Sequence, residues 1–309
     1  MSLSQPEQDG RPAYPPGVAF IEGAYVPISE AKISVLDWGF LRSDATYDVV
    51  HVWEGRFFRL DKHLARFRRS AEKLRLTLPY GESEITEILR RCVIEAGLED
   101  AAYVEMVCTR GVSPTFSRDP RDAVNSFLAF ALPFGWVASV EQRARGLDLA
   151  VSSVRRIPPD SVDPTIKNYH WLDLVAGLFE AYDRGRENVV LVDLDGNVAE
   201  GPGFNLFAVK DGRAVTPERG VLKGITRQTA LELCAELKVP VTAAPLTVEA
   251  LRSADEVFIT STAGGIMPVT KIDGEAVGTG RPGPLTGKLT ELYWDKHADP
   301  AWTTPVDDG

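Results

Sequence analysis

The sequence has no cysteine pair, no histidine cluster and no long apolar run, and each gap excludes a class of protein. Three cysteines occur in 309 residues, Cys92, Cys108 and Cys234. They are odd in number and widely spaced, without a CxxC. That argues against a disulfide framework or a thiolate zinc site and fits a reducing compartment. His51, His63, His170 and His297 are scattered without ligand spacing, so no metal is expected. No run of about 18 apolar residues exists, so no membrane span is expected. Residues 1–16 are polar, carry Pro and Gly, and lack an apolar h-region, so no secretory signal is read there and a cytoplasmic location is expected. Basic residues are outnumbered, 34 against 44 acidic, for a net charge of −10. An acidic surface repels phosphate backbones, so nucleic acid is not an expected partner, although a local basic pocket can still hold a small anion. Neither Gly/Thr-rich turn, Leu222–Arg227 or Thr260–Gly265, is a GxxxxGK[ST] or a GxGxxG, which weakens the case for nicotinamide and flavin ligands there.

The composition is that of a globular chain, 44% apolar and 25% charged, and the length suits two domains. A loose tail is expected over residues 1–16 and an N-terminal α/β domain over 17–134. An interdomain linker follows over 135–146, then a C-terminal domain over 147–309. Two hairpins open the first domain, Val18–Ile21 with Ala24–Ile28, and Thr46–Trp53 with Arg56–Leu60. Asp61 stands where a helix N-cap belongs, ahead of the apolar spacing Leu64, Phe67, Leu74 and Leu76. A second helix is predicted over Ser83–Ala96, ending at Gly97, and strands over Tyr103–Thr109 and Ser126–Ala131. In the second half, strands are predicted at Leu147–Val154, Val189–Val192, Phe204–Val209, Val239–Ala243 and Glu256–Thr260. Helices are predicted at Asn168–Arg184, Thr226–Leu237 and Leu285–His297. The order mixes α and β without strict βαβ alternation, which disfavours a doubly wound sheet.

Several segments have the residue types of a chemical site. Leu222-Lys223-Gly224-Ile225-Thr226-Arg227 precedes a predicted helix, and Thr260-Ser261-Thr262-Ala263-Gly264-Gly265 follows a predicted strand. Both offer backbone N–H groups and hydroxyls, which can hold a phosphate with little positive charge. Either turn alone is more often an ordinary loop. Lys167 sits between a Pro-rich loop and a helix, a place suited to a Schiff-base former, although most lysines are solvated surface groups. Glu200, flanked by Gly201-Pro202-Gly203, is a carboxylate on a rigid loop entering an apolar strand, or simply a turn residue. Arg66 shares a helix with Arg68 and Arg69, which can equally be a solvated face.

Taken in order, Arg66 in HLAR, Lys167 in TIKN, Glu200 in AEGPGFNLF, Thr226 in KGITR and Thr262 in TSTAGGIMPV resemble the class IV pyridoxal-phosphate aminotransferases. This family has fold type IV and includes branched-chain and D-amino-acid aminotransferases. The resemblance runs from about Val18 to Tyr293. It implies a two-domain α/β (α+β) enzyme, a smaller N-terminal α/β domain and a larger C-terminal pseudo-barrel domain, and a homodimer. It also implies that Lys167 is the catalytic residue and bonds pyridoxal 5'-phosphate, that Glu200 pairs with the ring nitrogen, and that Arg66, Ile225, Thr226 and Thr262 hold the phosphate.

Within the family, SDATYDVVHVWEGRFFRLDKHLARF, YVEMVCTRG and KNYHW are most similar to (R)-selective amine transaminases. The pocket residues implied are Arg42, Tyr47, Val49, Tyr103, Glu105, Arg118, Trp171, Ser261 and Ala263. An aromatic at strand or helix spacing is also common core packing. Arg42 departs from the pattern, since many (R)-amine enzymes have histidine there. It is either a carboxylate partner or a subunit contact, and Arg121 competes with Arg118 on the same loop. The activity implied is transfer of an amino group from an (R)-primary amine or D-amino acid to pyruvate or a similar 2-oxo acid. Branched-chain L-amino-acid or D-alanine transamination is the alternative. Aminodeoxychorismate lyase uses the same fold and lysine, and a non-enzymatic small-ligand binder is the remaining, weaker reading.

Overall fold

The computed structural model describes residues 14–307. All but the last three residues of the expected tail lie outside the described residues. The chain forms two compact units, one running to Gly135 and rejoined at Thr303, the other Trp136–Trp302.

The first unit begins with β1 (Val18–Ile21), β2 (Ala24–Pro27) and a one-turn helix α1 (Trp38–Arg42). It continues through β3 (Ala45–Trp53), β4 (Arg56–Phe58), α2 (Leu60–Lys73), α3 (Glu82–Ala96), β5 (Ala101–Val112) and β6 (Val124–Pro133). β3 is a run of β-branched and aromatic residues, which pack well on a pleated surface. Its partner is β5, antiparallel, with Tyr47 opposite Val107, Val49 opposite Glu105 and His51 opposite Tyr103. Alternation puts Val50, Val52, Val104 and Met106 on the other face, in the core under α2 and α3. α2 meets that face with Leu60, Leu64, Phe67 and Ala71, a helical i, i+4, i+7 stripe. The helix starts one residue earlier than its expected cap. Arg59 is the N-cap in a left-handed conformation (φ 57°), and Asp61 lies in the first turn.

The second unit holds α4 (Val140–Arg145), β7 (Leu147–Arg155), α5 (Leu172–Asp183), β8 (Asn188–Val192), β9 (Asn205–Lys210), β10 (Arg213–Thr216) and α6 (Ile225–Glu236). After these come β11 (Val241–Ala243), α7 (Val248–Arg252), β12 (Glu256–Ser261), β13 (Gly265–Ile272), β14 (Glu275–Ala276) and α8 (Pro284–Asp295). Its mixed sheet runs β11-β10-β9-β12-β13-β7-β8, with β14 beside β13. One core joins Leu147, Leu149, Leu206, Val257, Ile259, Met267 and Val269. A second joins Leu174 and Ala181 of α5 to Ala150, Val189 and Leu191.

Three expectations need correction. The segment read as a linker contains α4, capped by a Ser139–Gln142 box. The helix expected from Asn168 starts at Leu172, because the Asn168 side chain folds back within the loop, donating to the Ile166 carbonyl (2.9 Å) and accepting from His170 N–H (3.0 Å). The last strand, β15 (Thr303–Pro305), does not extend the second unit. It pairs with β4 and completes the first sheet, ordered β15-β4-β3-β5-β6-β1-β2. Among the described residues no helix is long and apolar enough to cross a membrane.

Candidate active site

In the second unit, the chain leaving β8 turns at Asp195-Gly196 and returns through Val198–Glu200. Leu191 N–H donates to the Glu200 carbonyl (3.0 Å) and Ala199 N–H to the Leu191 carbonyl (2.9 Å). Gly201 then makes a contact no side chain permits, since a Cβ there would lie 2.1 Å from the Phe204 ring. The loop thus fixes Glu200, which is only 6% exposed. Its Oε1 accepts from Arg156 Nε and Nη2, each at 3.2 Å. Its Oε2 accepts from the Leu222 N–H (2.8 Å) and Asn205 Nδ2 (3.4 Å). Burial pushes the Glu200 carboxyl up, while Arg156, the Leu222 N–H and Lys167 pull the other way. Net, it lies above the ordinary carboxylate value.

Asn205 also donates to the Leu222 carbonyl (2.9 Å), which ties Glu200 to the turn that starts α6. Gly224 is the N-cap of this helix and makes no side-chain cap. A Cβ on Gly224 would lie 2.3 Å from Asn205 Oδ1, so the close approach requires glycine. The first-turn N–H groups of Ile225 and Thr226 therefore remain uncapped by any side chain, the arrangement that receives an anion. Ser261 ends β12, and Thr262 and Ala263 open the β12–β13 turn. Ser261 Oγ donates to the Gly203 carbonyl (2.9 Å), joining this turn to the Glu200 loop. Trp171, the N-cap residue of α5, lies beside the same loop, with Cη2 3.7 Å from where a Gly203 Cβ would be. Lys167 is half-buried, and its charge acts on Glu200. The structure thus links Glu200, Ser261, Trp171 and the start of α6 through one set of loops.

In the first unit, Arg66 is not on a solvated helix face. It is 3% exposed and forks onto Asp48 of β3, Nε to Oδ2 at 2.7 Å and Nη2 to Oδ1 at 2.8 Å. His63 Nδ1 meets Asp48 Oδ1 at 2.8 Å. Burial alone would raise the Asp48 carboxyl, but Arg66 and His63 hold it far below the usual carboxylate range. Tyr47, Val49, Tyr103 and Glu105 share the opposite face of the sheet, away from α2 and α3. There Tyr103 Oη donates to Glu105 Oε2 (2.8 Å), and burial, then Glu105, push the phenol up so that it keeps its proton. Arg42 is exposed at the end of α1, with its guanidinium 4.3 Å from the Trp38 ring centroid. Arg118 is exposed on the loop between β5 and β6, and Arg121 on the same loop is paired with Asp119.

Sequence reasoning missed Asp48, His63, Arg156, Asp173 and Asn205. Asp48 had one available signal, a carboxylate inside an otherwise apolar strand. Arg156 had none, since it reads as one of two arginines before a proline loop.

The donor set fits a phosphorylated pyridine cofactor, with a helix start for the phosphate and a buried carboxylate for a ring nitrogen. Comparison with known proteins agrees. Residues 45–272 match the family model described as amino-transferase class IV. The chain is 34% identical to a putative branched-chain-amino-acid aminotransferase of Methanocaldococcus jannaschii, over 89% of this chain and 95% of that one. It is 31% identical to a D-alanine aminotransferase of Staphylococcus haemolyticus, over 89% and 95%. Among solved structures, the T.th. branched-chain amino acid aminotransferase with pyridoxamine 5'-phosphate superposes with a TM-score of 0.88 at 29% identity, covering 94% of this chain and 99% of that one. The mixed α/β architecture is that of the fold type IV enzymes, whose cofactor is pyridoxal 5'-phosphate. The chain belongs to the class IV aminotransferases.

Proposed function

We propose that this transaminase takes its amino group from an (R)-configured primary amine or a D-amino acid and passes it to pyruvate or a similar 2-oxo acid. The observation that carries the donor reading is the face shared by Tyr47, Val49, Tyr103 and Glu105. It offers apolar and aromatic surface plus a carboxyl at 8% exposure. A carboxyl there disfavours a substrate carboxylate by like charge and tolerates an apolar substituent. Arg118, a fixed cation on a loop, suits the acceptor's carboxylate.

Pyridoxal phosphate supplies an electron sink for the charge left when the substrate Cα loses its proton. In this reading Lys167 would hold the cofactor, and its amine would take the proton from the donor's Cα in one half-reaction and supply one at the acceptor's Cα in the other. Glu200 holds the ring nitrogen. The N–H groups of Ile225 and Thr226, with Thr262, would receive the phosphate; in the first unit, Asp48 fixes the plane of the Arg66 guanidinium, a fork suited to a phosphate. Trp171, Ser261 and Ala263 add walls to the substrate site. The protein works as a homodimer in the cytoplasm.

The relatives favour a second reading, since they are named for branched-chain amino acids and D-alanine. A donor panel with pyruvate separates the two: both enantiomers of 1-phenylethylamine, D-alanine, L-leucine and aminodeoxychorismate. The (R)-amine should exceed L-leucine in kcat/KM. A preference for L-leucine would establish the branched-chain reading instead.

A further inference from the structure

Arg156 follows the last residue of β7 and starts the Pro-rich loop, and its N–H donates to the Val192 carbonyl (2.9 Å). Its side chain is 8% exposed and is fixed from two sides. Nε and Nη2 both reach Glu200 Oε1 at 3.2 Å, and Nη1 donates to Asp173 Oδ2 at 2.7 Å. Asp173 is held in turn by the N–H groups of Ile157 and Leu174, each at 2.8 Å. The result is a row of alternating charge, Asp173, Arg156, Glu200, half-buried at Asp173 and buried at the other two. Two more cations act on or near Glu200. Arg227 is occupied by Thr216 Oγ1 (3.1 Å) and the Pro217 carbonyl (3.0 Å). Lys167, whose charge also acts on Glu200, is the group that the proposed reaction uses.

We propose that Arg156 is a positioning residue for transamination: braced by Asp173, its forked donors keep Glu200 oriented and ionised, so that a carboxylate meets the cofactor's ring nitrogen. This rests on the reading of Glu200 as that nitrogen's partner. A buried carboxylate without a counter-ion takes up a proton, and a neutral acid cannot hold a pyridinium proton in place. Asp173 acts one step further out, because without it the guanidinium can swing away from Oε1. A cavity of about 270 Å³ lies against Arg156, lined also by Pro158, Asp193, Val198 and Arg219. A shorter side chain at 156 therefore has room for water and need not collapse the fold.

The test compares Arg156→Gln, Arg156→Lys, Asp173→Asn and Glu200→Gln. The first readout needs no turnover: infrared titration of the full-length apoprotein, with the Glu200 band identified by its loss in Glu200→Gln. Glu200 should be ionised at pH 7 in the wild type and in Arg156→Lys, and protonated in Arg156→Gln. The second readout is the single-turnover rate of the holoenzyme with amine. In Arg156→Gln it should be low at pH 7 and rise about tenfold per pH unit until Glu200 ionises. Asp173→Asn should show a weaker version of the same slope. A structural role would lower the rate equally at every pH. An Arg156→Gln protein with wild-type ionisation of Glu200, or a pH-independent loss, would overturn the proposal. If Arg156→Gln fails to fold, Asp173→Asn and Arg156→Lys decide it by the same two readouts. A silent Glu200→Gln would instead overturn the reading of Glu200 itself.

Discussion

Glu200 is held by four donors on two oxygens, so its amide variant keeps the shape and loses the charge. Glu200→Gln should retain bound cofactor but slow removal of the Cα proton by on the order of 10²-fold, about 1.4 kcal/mol per tenfold. Stopped-flow absorbance of the half-reaction checks this, and wild-type rates would assign the role to another group. Asp48 makes a separate prediction about stability. Its folded-state carboxyl lies below the ordinary 3.8 because Arg66 and His63 face it. In acid the unfolded chain binds the proton first, so the contribution is complete above that value and is lost as pH falls through the folded one. Asp48→Asn should cost roughly 3–5 kcal/mol at neutral pH, the usual result of stranding a buried charge. The gap to wild type, read by denaturant titration, should narrow below pH 3.8; a gap that does not vary with pH would contradict the assignment. Glu200 stands out in the sequence because a carboxylate followed by Gly-Pro-Gly leads into an apolar strand. Arg156 does not, since what marks it is a partner 44 residues away, and Asp48 shows only as a carboxylate in an apolar strand, its partner Arg66 lying 18 residues away.

At the scale of elements, two arginines sit on different supports. Arg118 is on an exposed loop, and Arg42 ends a one-turn helix and covers its tryptophan. A guanidinium forked onto a carboxylate contributes ~1.5–3 kcal/mol, so Arg118→Ala should cost pyruvate and D-alanine roughly 10–100-fold in kcat/KM. Single turnover with (R)-1-phenylethylamine should be spared, and equal losses for both donors would remove Arg118 from substrate recognition. Arg42→Ala should lower Tm and leave the substrate ratio unchanged, because its guanidinium lies over Trp38. Element boundaries were legible where a glycine or periodicity marked them, as at Gly97, the left-handed C-cap of α3. They were not legible where side chains bonded locally, as at Asn168, whose loop bonds displace the start of α5.

At the scale of the molecule, α5 leaves Leu172, Val175, Phe179 and Tyr182 exposed, a stripe at helical spacing. Leu172 is 88% and Phe179 65% exposed, which suits a self-associating face. Light scattering should give a dimer for the wild type and a monomer for Phe179→Glu; a monomeric wild type would exclude the homodimer. Two-part organisation was legible in the break of pattern after Pro133. The return of the chain to the first sheet was not, because Thr303–Pro305 is too short and too polar to read as a strand.

That return sets an order of events during synthesis. β4 has β3 on one side and receives its other neighbour only when residues 303–305 emerge, after the entire second unit. Until then the ribosome holds a first unit with an open sheet edge beside buried Phe57 and Phe58. A stop codon before Thr303 would leave that edge open permanently. The product should therefore be caught by chaperones or aggregate, even though every group assigned to chemistry is already present.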